Sequence, residues 1–470
     1  MIRNELRIED NPLFIYALST KKPILVLWLN SDSSLGDASK LWLRESLKSF
    51  KSELHNLDLD LFLIQEAQNL ENFISESGAD EIVWARSFIP QQEEKIKNSL
   101  SKNKDLKITI LNASTLFNPD SIRNKSGGVF KVFTPFYKHC LTLVEDEIKN
   151  NYDKQLCSLK DLQGRLNCHT SSNDKIEDLN FRLNNQNKWQ EKILRYSQPG
   201  TQGAKRELKR FLKEAIKNYP EGRDHPAQNF TSKLSSYLHF GEISPFRIWQ
   251  EVTQAKEAGV DGYDAYLRQL IWREFAIYIL YHFPDSASKN LDKKFDKFPW
   301  IKDAELLRVW QQGLTGYPIV DAGMRELWET GWMHNRVRMI VGSFLVKDLL
   351  IHWTEGAAWF LDTLFDADLA NNSMGWQWVA GSGVDASPYF RIFNPTLQSE
   401  KFDKKGVYIK KWCPELSKLD SKWVHKPSEA PPLVLQNAGI ELGRDYPYPV
   451  VNHNEARMRA LAALKTTKTQ

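Results

Sequence analysis

The first part of the chain alternates short apolar runs with amphipathic stretches. Pro23 to Asn30 (PILVLWLN) is almost continuously apolar, the pattern of a strand buried on both faces of a parallel sheet. Ala38 to Leu54 has helical periodicity. Leu59 to Ile64 reads as a second strand, Leu70 to Ser77 as a helix, and Glu81 to Trp84 as a third strand. Gln91 to Lys102 is again helical, and Lys107 to Leu111 is a fourth strand. This alternation predicts an α/β domain over residues 1–120. No G-x-G-x-x-G follows any of these strands, so the usual dinucleotide fingerprint is missing. Residues 121–187 are polar and poorly periodic, with Lys-Ser-Gly-Gly at 125–128. They read as an interdomain connection holding one helix near Phe133 to Ile148. From Trp189 the pattern is helical almost to the end, which predicts an all-α domain over 188–470 whose last helix is Asn454 to Leu464.

Composition adds limits. The net charge of +4 does not make the molecule a polycation, so any nucleic-acid binding needs a local basic face. Sixteen tryptophans concentrate after Lys188, and core packing explains most of them. The four cysteines (Cys140, Cys157, Cys168, Cys413) contain no C-x-x-C pair, which argues against a zinc or iron–sulfur site and fits a reduced, cytoplasmic setting. The longest apolar candidate for a membrane span, Ile340 to Ile351, is short and contains Lys347 and Asp348. The charged start, Met1 to Asp10, is not a secretory signal.

Four segments carry candidate chemistry. In Tyr266 to Leu280, helical spacing puts Gln269, Trp272 and Ala276 on one face beside Arg273. By pattern alone this is a core helix with a tolerated Gln. In Gly331 to Lys347, Asn335, Arg338 and Met339 share a face expected to turn inward, next to one carrying Trp332 and Arg336. His334 reads as a surface or hydrogen-bonded histidine. In Phe365 to Phe393, Asp366 and Asp368 precede Asn371, Asn372, Trp376 and Trp378. No third ligand has metal spacing, and Arg338 is the expected counter-ion, so no metal site is indicated. The basic residues that follow, Arg391, Lys401, Lys404, Lys405, Lys410 and Lys411, interleave with Trp378, Tyr389, Phe390 and Phe393. A solvated charge run and a phosphate-contacting face with stacking rings are equally open here. Finally, Thr231 to Ser235 (TSKLS), preceded by Arg223, has the side chains of a helix start that presents amides to a phosphate.

Taken together, the motifs IWREF at 271–275, GWMHNRVRM at 331–339, DADLANNSMGWQW at 366–378, SPYFRIFNP at 387–395 and NPTLQSEKFD at 394–403 resemble the photolyase/cryptochrome family, and most closely its class I cyclobutane pyrimidine dimer photolyases. The opening IRNELRIEDNP fits the same family. The resemblance implies a Rossmann-like α/β domain and a helical domain holding FAD. It places Tyr219, Arg223, Thr231, Ser232, Leu234 and Ser235 at the flavin phosphate and ribityl chain, and Trp272 and Arg273 at the next wall. Arg338, Asp366 and Asp368 match the group around the isoalloxazine, and Asn372 the residue facing flavin N5, which favours a fully reduced, anionic flavin. It implies an electron chain of Trp376, Trp353 and Trp300, with Trp310 left to the core. It implies a pocket for a flipped-out dimer lined by Gln269, Trp272, Asn335, Met339 and Trp378, with Arg336, Arg391 and Lys401 toward DNA. A monomer acting on UV-damaged DNA, with no membrane partner, follows.

The chain also departs from the family pattern. Dimer photolyases usually carry Glu where Gln269 stands; Gln is usual in (6-4) photolyases, which instead have a histidine pair where this chain has Asn335 and Met339. Only Met1-Ile2 precede the match to Arg3, so the first strand is expected to be almost absent. Folate-binding relatives have Asn-Glu near Gln91-Gln92, so an antenna pigment, folate or deazaflavin, stays open. The competing function is a blue-light receptor of cryptochrome type. Such receptors often have an extended C-terminal tail, and an Asp at 372 would favour that reading; the chain has Asn372 and stops near the end of the core.

Overall fold

The apolar runs become four parallel strands: β1 (Val26–Leu29), β2 (Leu61–Ile64), β3 (Glu81–Ala85) and β4 (Lys107–Leu111). β1 pairs with β2, and β3 with β4. Between the two pairs lies Met1–Arg3. Ile2 exchanges backbone bonds with Leu27 and Leu29 of β1 (2.6 and 3.0 Å), the Met1 amino group donates to Val83 O of β3 (2.8 Å), and the Arg3 guanidinium donates to Ala85 O. All residues of β1 and β2 are buried, as parallel strands covered on both faces require, whereas β4 is half-exposed.

The computed structural model describes residues 1–30, 35–101, 103, 105–152, 176, 192, 195–257, 259, 261–386 and 390–467. Most of the connection expected over 121–187 lies outside these residues, as do Cys157, Cys168, Trp189 and Tyr389. The fold divides into a unit of Met1–Lys217 with Ser232–Pro284 and a unit of Asn218–Thr231 with Asp285–Gln470.

In the first unit the sheet is joined by helices α1 (Pro12–Ser19), α2 (Asp37–His55), α3 (Leu70–Ser77), α4 (Pro90–Ser99) and α5 (Phe133–Tyr152). These are followed by α6 (Thr201–Arg210), α7 (Ser235–His239), α8 (Pro245–Glu257) and α9 (Tyr263–His282). A buried carboxylate holds the α/β part to α6. Glu242 accepts hydrogen bonds from Trp42 Nε1 (3.1 Å) and the Ser46 hydroxyl, both on α2, and from Gly200 N–H (2.5 Å), just before α6. Burial pushes its pKa up to about 8 against the pull of those donors. Gly200 is required there: its φ is +103°, and a Cβ would lie 2.3 Å from Ser49 Oγ.

The second unit is helical: α10 (Ala304–Gln312), α11 (Pro318–Thr330), α12 (Asn335–Ser343), α13 (Trp353–Thr363), α14 (Leu369–Ala380), α15 (Pro395–Phe402), α16 (Val407–Trp412), α17 (Pro432–Ala438) and α18 (His453–Thr466). Its core gathers Trp310, Val337, Val341, Leu345, Trp353, Phe360, Trp376 and Tyr408. Trp310 is fully buried there, as expected, with Nε1 donating to Val341 O (3.0 Å). α12 runs on into a wider π-helical turn, Phe344–Asp348, whose buried charges are engaged: Lys347 donates to Ala380 O (2.5 Å), and Asp348 meets His453 Nδ1 (2.5 Å). Among the described residues no helix is long and apolar enough to cross a membrane.

Glu242→Ala leaves three donors buried without an acceptor. We expect a loss of about 3 kcal/mol, read as a lower thermal midpoint in circular dichroism. A midpoint equal to wild type would show that Glu242 does not hold these elements together.

Candidate functional site

Three consecutive helices of the second unit begin on side-chain caps. His334 Nδ1 accepts the Arg336 N–H (3.2 Å) at the start of α12. His352 Nδ1 accepts the Thr354 N–H (3.2 Å) at the start of α13. Asp368 Oδ1 accepts the Asn371 N–H (2.8 Å) and the Asn371 side-chain amide (2.6 Å) at the start of α14. Of the two sequence readings of His334, surface or hydrogen-bonded, the structure shows the second. His334 is buried, its Nε2 has no protein partner, and burial pulls its pKa down to about 3.

The inward face of α12 differs from the one expected. Val337, Ile340 and Val341 enter the core, because apolar side chains bury without needing partners, while Asn335, Arg338 and Met339 stay half-buried or exposed. Asn335 and Met339 do share a face, with the amide 3.9 Å from the sulfur. Arg338 donates to Met333 O (2.8 Å) and to Asp366 Oδ2 (2.9 Å), so it is the counter-ion expected for that carboxylate. Asp366 Oδ1 is buried without a protein partner. Arg336 pairs with Asp224 (2.8 Å) and lies over the Phe402 ring (4.4 Å), which occupies it within the unit. Arg223 lies over the ring of buried Tyr219 (5.6 Å). After burial, Arg338, Arg336 and Arg223 disfavour a proton on His334, opposed by Asp224. No group of three or more metal-ligating side chains occurs among the described residues.

On α14, Asn372 donates its amide to Ala357 O (3.0 Å). Trp376, one turn on, is buried against Phe360 (5.0 Å) and Trp310 (6.1 Å), with Nε1 unpartnered. Its ring fits only because residue 356 is glycine: a Cβ there would lie 2.1 Å from Trp376 Cη2. Trp353, at the start of α13, donates to Asn290 Oδ1 (2.9 Å). Trp300 is half-buried, with Nε1 unpartnered. Trp378 has the exposed Arg391 over its ring (5.0 Å), and Lys401 lies over Phe402 (5.1 Å).

The first unit carries the other predicted residues. On α9, Gln269 donates its amide back to Ala265 O (3.1 Å). Trp272 stacks flat on Phe133 of α5 (3.5 Å, 6°), so one of its faces is already covered. Arg273 donates to Ser114 O (2.8 Å) and to Glu274 (3.1 Å). Glu274 also accepts the Leu116 and Phe117 amides (2.8 and 3.4 Å), and its burial raises its pKa to about 7. The Thr231–Ser235 stretch does precede a helix, but α7 has no side-chain cap bond. The Ser232 hydroxyl instead accepts the Leu234 N–H (3.4 Å), since Lys233 has φ +54°.

Sequence reasoning missed Phe133, Asn290, His352, Gly356 and Glu274. Only Glu274 left a signal, a carboxylate in helical phase with the buried face of IWREF. The others act through neighbours distant in the chain.

Residues 266–466 match the family described as the FAD binding domain of DNA photolyase, and residues 1–152 match DNA photolyase. A deoxyribodipyrimidine photo-lyase of Agrobacterium fabrum is 41% identical over 99% of this chain and 97% of its own length. The chain belongs to the photolyase/cryptochrome family. A bacterial class III photolyase from Agrobacterium tumefaciens has the same fold, with TM-score 0.92, 40% identity, and 100% of this chain and 97% of that one covered. Cryptochrome-2 of Arabidopsis thaliana is 34% identical over 99% of this chain and 78% of its own length. The FAD-binding character of the photolyase domain fits the donor set above. Asp366 Oδ1 is a buried acceptor lacking a protein donor, and Arg223 lies nearby in the same unit over the Tyr219 ring.

Gly356→Ala is expected to displace the Trp376 ring, at a cost of about 1–3 kcal/mol, and to slow photoreduction of bound FAD. Wild-type stability together with wild-type photoreduction would show that the ring has room to spare.

Proposed function

We propose that this photolyase splits cyclobutane pyrimidine dimers in DNA under blue light. The carrying observation is Asp366: Arg338 neutralises one of its oxygens, and the other is buried and open to a donor from a cofactor. Arg338, Asp366, Asp368 and Asn372 hold the flavin ring, with the Asn372 side chain oriented by its bond to Ala357 O. Asp368 contributes by fixing the start of α14. Tyr219, Arg223, Thr231, Ser232, Leu234 and Ser235 serve the phosphates and ribityl chain, and Trp272 and Arg273 the adjoining wall. Bound by these residues, reduced FAD would supply the light-driven electron chemistry that opens the cyclobutane ring.

For a flipped-out dimer the first unit offers Gln269 and Trp272, and the second unit offers Asn335, Met339 and Trp378. Trp272 offers it a single open face, because the other lies on Phe133. Arg391 and Lys401, both exposed, meet DNA phosphates. Arg336, held by Asp224, shapes that surface more than it supplies free charge. Trp300, Trp353 and Trp376 carry electrons inward when the flavin must be recharged. Asn335 and Met339 on α12 favour cyclobutane dimers over (6-4) lesions, which relatives with a histidine pair at these positions repair. The identity to a plant cryptochrome supports a second reading, a blue-light receptor.

Dimer-containing DNA incubated with the protein should lose its thymine dimers under blue light and keep them in the dark. Equal dimer content in both would overturn the repair reading and leave the receptor reading.

Gln269 bears on yield. Charge on the dimer must be stabilised long enough for the ring to split before the electron returns. The Gln269 amide is engaged with Ala265 O and is a weaker donor than a carboxylic acid. Gln269→Glu should raise dimers repaired per photon by on the order of a few-fold, with little change in affinity for damaged DNA. No gain, or a wild-type preference for (6-4) lesions, would make Gln269 a specificity residue.

A further inference from the structure

Trp300 and Trp353, two tryptophans of the proposed electron route, share a ring neighbour. Trp300 touches Phe298 (4.4 Å between ring centroids) and His352 (5.0 Å, 72°), and Trp353 touches His352 (5.7 Å, 30°). Among the described residues His352 is the one ring in contact with both indoles. It is also held in place. Its Nδ1 accepts the Thr354 N–H (3.2 Å), capping the helix that Trp353 opens, and lies 2.7 Å from the Thr354 hydroxyl. Accepting the Thr354 N–H at Nδ1 requires a lone pair on that nitrogen, which the neutral ring protonated at Nε2 provides.

We propose that His352 is a positioning residue of flavin recharging, its imidazole bridging the two indoles as an electron passes from Trp300 to oxidised Trp353. The inference rests on the electron route proposed above. In this step one electron leaves the Trp300 indole and one fills the hole on Trp353. Imidazole is harder to oxidise than indole, so His352 is a bridge and not a stop. The oxidised Trp300 ring is refilled by a thiol reductant from solution, and two such events turn a dithiol into its disulfide and release two protons.

Protonation would disable the bridge. It removes the Nδ1 lone pair, breaks the cap and sets a positive charge between two rings that must each become positive in turn. Burial holds the His352 pKa below its ordinary value, opposed by Glu355 on α13 and by Asp296 in the turn Lys293–Lys297, where Lys293 lies 4.0 Å from Asp296. The positive end of α13 also disfavours a cation at this position. Because this base is depressed in the fold, the neutral bridge persists at neutral pH and is lost only as pH falls below the ordinary histidine range.

Two variants separate ring from cap. His352→Asn keeps a capping acceptor and removes the ring; His352→Phe keeps a ring and removes the acceptor. The readouts are the Trp300 radical signal after a laser flash on FAD-loaded protein, and the thermal midpoint. We expect His352→Asn to melt near wild type and lose the signal several-fold. His352→Phe should melt lower and keep most of the signal. The wild-type signal should fall in acid, while that of His352→Asn is flat. Trp300→Phe, measured alongside, should abolish the signal. Wild-type signal in His352→Asn, or no acid dependence in wild type, overturns the role of His352 and leaves the route standing. Signal surviving in Trp300→Phe overturns the route, and the bridge with it.

Discussion

The first amide groups of a helix have no partner within it, and in the second unit that constraint organises the chemistry. α12, α13 and α14 each take an acceptor from the side chain just before them: His334, His352 and Asp368. A cap settles where a helix begins and hence its rotational phase. The phase of α12 sends Val337 and Val341 inward and leaves Arg338 able to reach Asp366. The phase of α14 sends Trp376 into the core and turns Asn372 to the Ala357 carbonyl. The chemistry-bearing side chains inherit their positions from three hydrogen bonds that take no part in the chemistry.

Buried charge is the second organising force. Each buried ionic group that lacked a partner would cost several kcal/mol, so the fold gives nearly all of them one. Lys347 reaches Ala380 O, Asp348 meets His453, and Glu242 and Glu274 collect backbone and side-chain donors. Asp366 keeps one buried oxygen without a protein partner, as Asp348 does, and in the proposed function it is the Asp366 oxygen that is given to the flavin.

Close packing does the rest. Trp376 lies where residue 356 has no side chain, and Trp272 lies flat on Phe133. Both indoles are held by shape, which keeps large rings in one orientation without polar anchors. In the first unit Met1–Arg3 bonds to both strand pairs of the sheet, and Glu242 fastens the neighbouring helices.

Periodicity alone determined the order of strands and helices from Pro23 to Leu111, though not the helix Pro12–Ser19, because burial on both faces leaves continuous apolar runs and helix burial leaves a stripe. Lys107–Leu111 and Leu70–Ser77 agree to the residue. The motifs around Trp272, Arg338, Asp366 and Trp376 determined the family, because long ordered matches carry more information than any single residue. Only the tertiary structure decided which face of α12 is buried, that the Thr231–Ser235 side chains do not cap α7, and that Arg273 serves the loop before Phe117. Partners separated by many residues in the chain, such as Phe133 with Trp272 or Trp300 with His352, leave no periodic trace. Their contacts exist only once the backbone has brought distant segments within a ring's width of one another.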